Sequence, residues 1–255
     1  MSDYDPLLKP KYYDQPDLSH DLCRGLVGWW MLNDEGGLTA HDISGKGNHG
    51  TLVNGPTWQG GALDFPGTDE YVDLGINAYN LGIRRNATFA AWVKFDWLLS
   101  LYATIISDYA SSKGMSLRGQ QIDQLEMYVY PDNYRITVDN IVAKGIWYHV
   151  MGVMDGSYVR LYLNGEEIGT PVALSGDIGD SASTLKIGSR GDLQDYCNGP
   201  IDDVRIYNRA LSEAEAGELH RNTLSGEYAE FPRLDVTKYF IPTGAAYRQR
   251  IISIS

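Results

Sequence analysis

The sequence predicts an all-β fold, a two-sheet antiparallel sandwich with one short C-terminal helix and extended terminal arms. Three observations predict it. Glycine is abundant at 28 residues, tyrosine and tryptophan reach 18 and 6, and long apolar runs are few, which suits short strands joined by tight turns. Apolar and polar residues alternate with a period of two in several stretches, as in a strand with one buried face. Asn164-Gly165 separates two such stretches, and because both residues tolerate positive φ the pair is a strong hairpin signal. Apolar residues make up 43% of the chain, enough for a substantial core.

Residues 1–22 carry Pro6, Pro10 and Pro16 without a clear period and read as an extended arm. The sandwich is expected over 23–221. Leu26 to Leu32 is a buried strand candidate stopped by Asn33-Asp34-Glu35-Gly36-Gly37. A Gly/Asn-rich stretch, Asp42 to Gly50, precedes the strand-like Thr51-Leu52-Val53, Ala62-Leu63-Asp64-Phe65 and Tyr71-Val72-Asp73-Leu74. In the stretch 88–95, Phe89, Ala91, Val93 and Phe95 share one face. Trp147 to Val153 is another strand, and in the next Val159, Leu161 and Leu163 face the core while Arg160 and Tyr162 face out. Thr184 to Ile187 and Val204 to Tyr207 complete the set. Ser212-Glu213-Ala214-Glu215 is a capping box, so a closing helix is expected to run to about His220. Residues 222–255 form a second extension whose strand-like end, with Ile251, Ile252 and Ile254, is expected to dock on a sheet edge of its own sandwich or a neighbour's.

The formal charge of −12 repels phosphate backbones and anionic headgroups, which argues against nucleic acid and membrane surfaces as partners. Cys23 and Cys197 make no disulfide framework; one bridge or two thiols are both open. The opening residues lack a basic segment followed by an apolar one, so no secretory signal is expected, and no window approaches the roughly 20 apolar residues of a membrane helix.

Several blocks, taken in order, resemble the laminin G-like jelly rolls of the concanavalin A-like superfamily. They are Gly25 to Trp30 with Asp42 to Leu52, Ala62 to Gly67 with Tyr71-Val72, Ala87 to Phe95, Trp147 to Val150, Leu161 to Gly165, and Gly199 to Ser212. The resemblance implies two antiparallel sheets in a jelly roll and a calcium ion, which takes six to eight oxygen ligands. Asp42, Asn48 and Asp202 are the expected side-chain ligands, with the Gly45 carbonyl helping and Asp203 substituting if the alternation shifts by one. In the competing reading Asp42 and Asn48 cap a tight turn and Asp202 accepts hydrogen bonds from it.

Related glycoside hydrolases carry Glu-x-Asp-x-x-Glu on one strand. Here Gln121-Ile122-Asp123-Gln124-Leu125-Glu126 has an amide where the nucleophile would stand. His20, His41, His49, His149 and His220 have no metal-ligand spacing, and no Gly-x-Ser-x-Gly or Walker loop occurs. A non-enzymatic protein is therefore expected. The leading expectation is a structural or decorating protein of a bacteriophage particle, assembled in the host cytoplasm, whose arms contact other virion proteins or copies of itself. The alternative is an extracellular or cell-surface adhesion module binding protein or surface glycans, with Trp58, Tyr109 and Trp97 as candidate sugar-stacking aromatics.

Overall fold

Short strands separated by turn residues build two stacked sheets in a computed structural model that describes residues 18–34, 36–96, 102–120, 123–225, 239–243 and 246–250. The strands of the first half are β1 (Leu26–Trp30), β2 (Thr39–Ala40), β3 (Gly50–Val53), β4 (Thr57–Gln59), β5 (Ala62–Pro66), β6 (Tyr71–Asp73), β7 (Asn86–Lys94) and β8 (Tyr102–Ser107). Then follow β9 (Gly114–Gln120), β10 (Gln124–Tyr130), β11 (Tyr134–Val138), β12 (Trp147–Asp155), β13 (Tyr158–Leu163), β14 (Glu166–Ala173), β15 (Lys186–Ile187) and β16 (Asn198–Tyr207). Helix α1 (Glu213–Ser225) closes the series, and β17 (Tyr239–Thr243) pairs with β18 (Ala246–Arg250).

The first sheet runs β14-β13-β12-β7-β16-β5-β4, with β1 pairing the second half of β16 beyond β5. The second runs β11-β10-β9-β8-β15-β6-β3-β2. Every named pairing in both is antiparallel, so the sandwich is of the expected jelly-roll class. Between the sheets lies one apolar core, to which β7 contributes Ala87, Phe89, Ala91 and Val93. Facing them from the second sheet are Ile105, Met115, Leu117, Met127 and Val129.

The intervening residues of β7, Ala90 and Trp92, are buried too, because the outer face of the first sheet is covered. Helix α1 lays Ala216 and Leu219 over it, against Trp29, Ala90, Met151, Val153, Tyr162 and Tyr207. Tyr162, expected to face solvent, is 3% exposed for this reason. Leu22 joins the same layer from a short 3-10 turn, Asp21–Cys23, so the arm's last residues belong to the fold. The capping box forms as expected. Glu215 N–H donates to Ser212 Oγ at 3.3 Å and Ser212 N–H to Glu215 Oε2 at 2.8 Å. The helix runs five residues past His220, to Ser225.

The predicted hairpin joins β13 to β14, with φ of 51° at Asn164 and 81° at Gly165. Its tip abuts the helix, since a Cβ at Gly165 would stand 2.9 Å from Gly217 Cα. Cys23 and Cys197 are not disulfide-bonded; Cys197 lies in the central core and Cys23 packs against the helix layer. Of the two extensions, residues 1–17, 226–238, 244–245 and 251–255 lie outside the described residues, as do the terminal isoleucines.

Candidate ligand face and the predicted calcium residues

The Asp42 loop folds around its own carboxylate. Asp42 Oδ1 accepts the backbone N–H groups of Trp29 and Ser44, each at 2.9 Å, and Oδ2 accepts that of Asn48 at 2.8 Å. The Asn48 amide donates to the Val27 carbonyl at 2.8 Å, its own carbonyl accepts Trp30 Nε1 at 2.9 Å, and Gly45 takes φ of 79° at the loop's tip. Asp42 thus ties the loop to β1.

Asp202 does not face the core as expected. Ile201 opposes Val93 and Asp202 opposes Trp92, but the next pair is Arg205 with Ala90, so β16 carries one extra residue at a bulge. Asp203 sits in it at φ 44°. The inserted residue shifts the alternation, and Val204 faces the core while Asp202 lies on the outer face in a row with Trp92 and His149. Asp203, the substitute ligand, accepts Trp29 Nε1 at 2.6 Å and a bidentate pair from Arg205, both contacts at 2.9 Å. Trp29 therefore bridges Asp42 and Asp203.

These residues do not fit calcium. A carboxylate offers about four lone-pair sites, and three on Asp42 are taken by N–H groups whose dipoles repel a cation. Asp203 is neutralised by Arg205, and no group of three or more His, Cys, Asp or Glu placed to hold a metal occurs among the described residues.

The second sheet presents a different outer face. On β8 to β11 the residues between the core positions are polar, charged or aromatic and meet in rows. Thr104, Arg118, Glu126 and Thr137 lie directly opposite one another across four strands, and Tyr102, Gln120 and Gln124 form the next row. Arg118 is 4% exposed and Glu126 1%. Arg118 Nε and Nη2 donate to Glu126 Oε1 at 2.9 and 2.7 Å, and Nη1 to Asp195 Oδ2 at 3.0 Å. Arg190 reaches the same Asp195 oxygen at 2.9 Å, while Thr137 and Arg135 bind Glu126 Oε2. The Arg118 guanidinium lies 3.9 Å over the Tyr102 ring and 4.7 Å from that of Tyr128. Burial pushes the Tyr128 phenol up to about 12 and raises Asp195, outweighing the arginines beside each.

Four atoms of this face, Thr104 Oγ1, Ser116 Oγ, Gln120 Oε1 and Gln124 Oε1, are buried without a hydrogen-bond partner. Gln124 is held in place from its other end, where Nε2 donates to Asp139 Oδ1 at 2.6 Å. Each such orphan costs about 1–3 kcal/mol, and buried ion pairs add little stability of their own.

Of the aromatic candidates, Tyr109 belongs to this face. It clusters with Tyr128 and Tyr130 at 5.2 and 4.9 Å between ring centroids, with Arg190 5.2 Å above it. Trp58 is packed against the core and donates Nε1 to the Gly37 carbonyl, and Trp97 lies outside the described residues. A cleft of about 610 Å³ beside the start of α1 holds Arg160 and Arg209, but both are ion-paired within it, to Asp155 and Glu167 and to Glu215.

Two stacked antiparallel sheets, one backed by a helix and the other by a polar aromatic face, define a concanavalin A-like sandwich. The chain belongs to the laminin G-type family of the concanavalin A-like lectin/glucanases superfamily, which matches residues 66–217. A stretch of 83 residues is 31% identical to Adhesion G-protein coupled receptor V1 of Danio rerio, 32% of this chain but 1% of that receptor's length. Trypanosoma rangeli sialidase superposes with a TM-score of 0.60 at 17% identity over 81% of this chain and 34% of that one. Domain 4 of AbnA, a GH43 extracellular arabinanase from Geobacillus stearothermophilus solved in complex with arabinotriose, superposes with a TM-score of 0.57 at 18% identity, covering 76% of this chain and 98% of that one. At such identities the likeness shows the fold alone.

These matches correct the expectation of a non-enzymatic protein. Chains named as a sialidase and an arabinanase contain this fold, so the fold gives no ground for excluding catalysis. Gln121, on which that expectation partly rested, lies outside the described residues.

Proposed function

We propose that this chain is an adhesion module, acting at a cell surface or outside the cell, that binds a saccharide on the outer face of β8 to β11. The observation that carries the reading is the contrast between the two outer faces. One is closed by helix α1 over a mixed layer that includes Asp202, His149 and Arg205; the other, with no helix over it among the described residues, sets orphan hydrogen-bonding atoms beside tyrosine rings and an arginine. Sugars offer hydroxyl donors and acceptors together with apolar ring faces, the combination such a floor complements. Two similar proteins are in keeping with it, an adhesion receptor and a domain solved with arabinotriose. The expected role on a bacteriophage particle rested on the arms, most of which lie outside the described residues.

The test is a glycan array probed with the full chain, followed by calorimetry on the strongest binders. Tyr102→Ala and Gln124→Ala alter half-buried positions and should each weaken binding about ten-fold, the order of one lost stacking or hydrogen-bonding contact. Undiminished binding by both variants would place the ligand elsewhere.

A further inference from the structure

We infer that helix α1 is an acid-released cover, which lifts from the first sheet when His149 and His220 take up protons while the sandwich beneath stays folded. His149 lies on the outer face of β12 and is 1% exposed. His220 reaches it from the second half of α1, and the two rings stack with centroids 5.8 Å apart. Both rings lie against Trp92, at 5.4 and 5.6 Å between centroids, and Trp92 Nε1 donates to Thr223 Oγ1 of the helix at 3.0 Å. The helix is also separable from the fold. Of its described residues the buried apolar ones, Ala216 and Leu219, belong to the outer layer, and none enters the core between the sheets. An element held by so little apolar surface opens at a lower cost than global unfolding.

Neither ring pairs with a carboxylate among the described residues. On β16, Arg205 acts on His149 and is itself held by Asp203 at 2.9 Å. Asp202 sits beyond Trp92, since His149 and Asp202 oppose that residue from the strands on either side of β7. On α1, Arg221 follows His220, and Glu218 stands 3.7 Å from His20. Lys94 of β7 lies over the Trp147 ring. The turn between β13 and β14, which abuts His220, places neutral Asn164 there, its Oδ1 accepting His149 N–H at 2.9 Å. After it Glu166 is exposed and Glu167 pairs with Arg160. Desolvation, then His220 and Arg205, holds covered His149 well below its ordinary range, and burial, then Arg221, lowers His220. Once α1 lifts, water reaches both rings and each titrates at about 6.5. Protons therefore bind the lifted state in preference, and acid shifts the equilibrium toward it.

Amide hydrogen exchange on the full chain at about pH 7.5 and about pH 5, corrected for the intrinsic pH dependence of exchange, tests this. A ring that titrates at about 6.5 only when uncovered multiplies the lifted fraction roughly thirty-fold at about pH 5. Protection of residues 213–225 should therefore fall by at least about thirty-fold, while β7 and β12 keep theirs. His149→Phe should remove most of that fall, His220→Gln a smaller part because His220 is half-buried, and the double variant all of it. Should the phenyl ring not be accommodated, His149→Gln makes the same test with a smaller neutral side chain. Unchanged protection of α1 in the wild type at about pH 5 would overturn the inference. So would loss of protection from α1, β7 and β12 together, or a fall that survives in the double variant.

Discussion

Replacing Asp42 with alanine deletes the acceptor of three backbone N–H groups at once, those of Trp29, Ser44 and Asn48. The first two are buried and the third partly so. At about 1–3 kcal/mol for each orphaned donor, discounted where water can reach Asn48, the expected loss is roughly 3–5 kcal/mol. Against a usual domain stability of 5–15 kcal/mol that is a large share. With a urea m-value of about 2 kcal/mol/M the unfolding midpoint should fall by roughly 2 M. Asp42→Asn keeps one acceptor oxygen but sets an amide N–H₂ against a backbone donor, and should fall between the two. Urea titration followed by tryptophan fluorescence reads all three proteins. The wild-type midpoint should not move with added calcium, because an ion that does not bind the native state exerts no mass action on it. A midpoint for Asp42→Ala within a few tenths molar of wild type would refute the turn reading. A calcium-dependent rise in the wild type that Asp42→Ala abolishes would reinstate the metal site.

Arg118→Met alone should cost about 1–3 kcal/mol, because Glu126 Oε1 loses its partner while Arg135 and Thr137 keep Oε2, whereas Arg118→Met with Glu126→Leu should recover part of that stability and still bind no ligand, as urea unfolding and calorimetry would show. Gly165→Ala puts a Cβ at positive φ against the helix, and should lower the melting temperature by several degrees with α1 the first segment to lose amide protection in hydrogen exchange. His149 is buried under α1 and held neutral, well below its ordinary range, by desolvation, then by His220 and Arg205. The unfolded chain then binds the extra proton, so this contribution is complete above pH 6.5 and falls by up to about 1.4 kcal/mol per unit below it. Half-buried His220, lowered to about 3 by burial and Arg221, adds less. Urea midpoints should therefore show His149→Phe gaining on the wild type between pH 6.5 and 5. Asp108 has the opposite sign. Burial raises it to about 6 against its backbone hydrogen bonds, so stability falls as pH rises from about 4 to 6, and Asp108→Asn should remove that fall.

Alternation made the core side of β7 and β13 readable, since a period of two leaves no freedom once one face is buried. Asn164-Gly165 and the Ser212 capping box were equally plain, because each acts through residues adjacent in the chain. The same alternation runs through the outer face of β9 and β10, which the sequence reading did not single out. Met115-Ser116-Leu117-Arg118 and Leu125-Glu126-Met127-Tyr128 each set a polar or aromatic residue between two core positions. What alternation could not show is that Arg118 lies across from Glu126 and receives Asp195 from a loop 77 residues further on. Asp202 shows the converse failure, where one inserted residue reversed the faces without any local signal beyond Asp203 in an unusual conformation.

Strand, turn and cap are written within a few neighbouring residues, because period, positive φ and side-chain-to-backbone bonds all act over short spans of chain. Which outer face is closed and which is left polar depended on where a helix from the far end of the domain came to rest, and on a bulge that set the direction of two acids. Those outcomes belong to the packing of distant segments against one another, which local chemistry constrains but does not spell out.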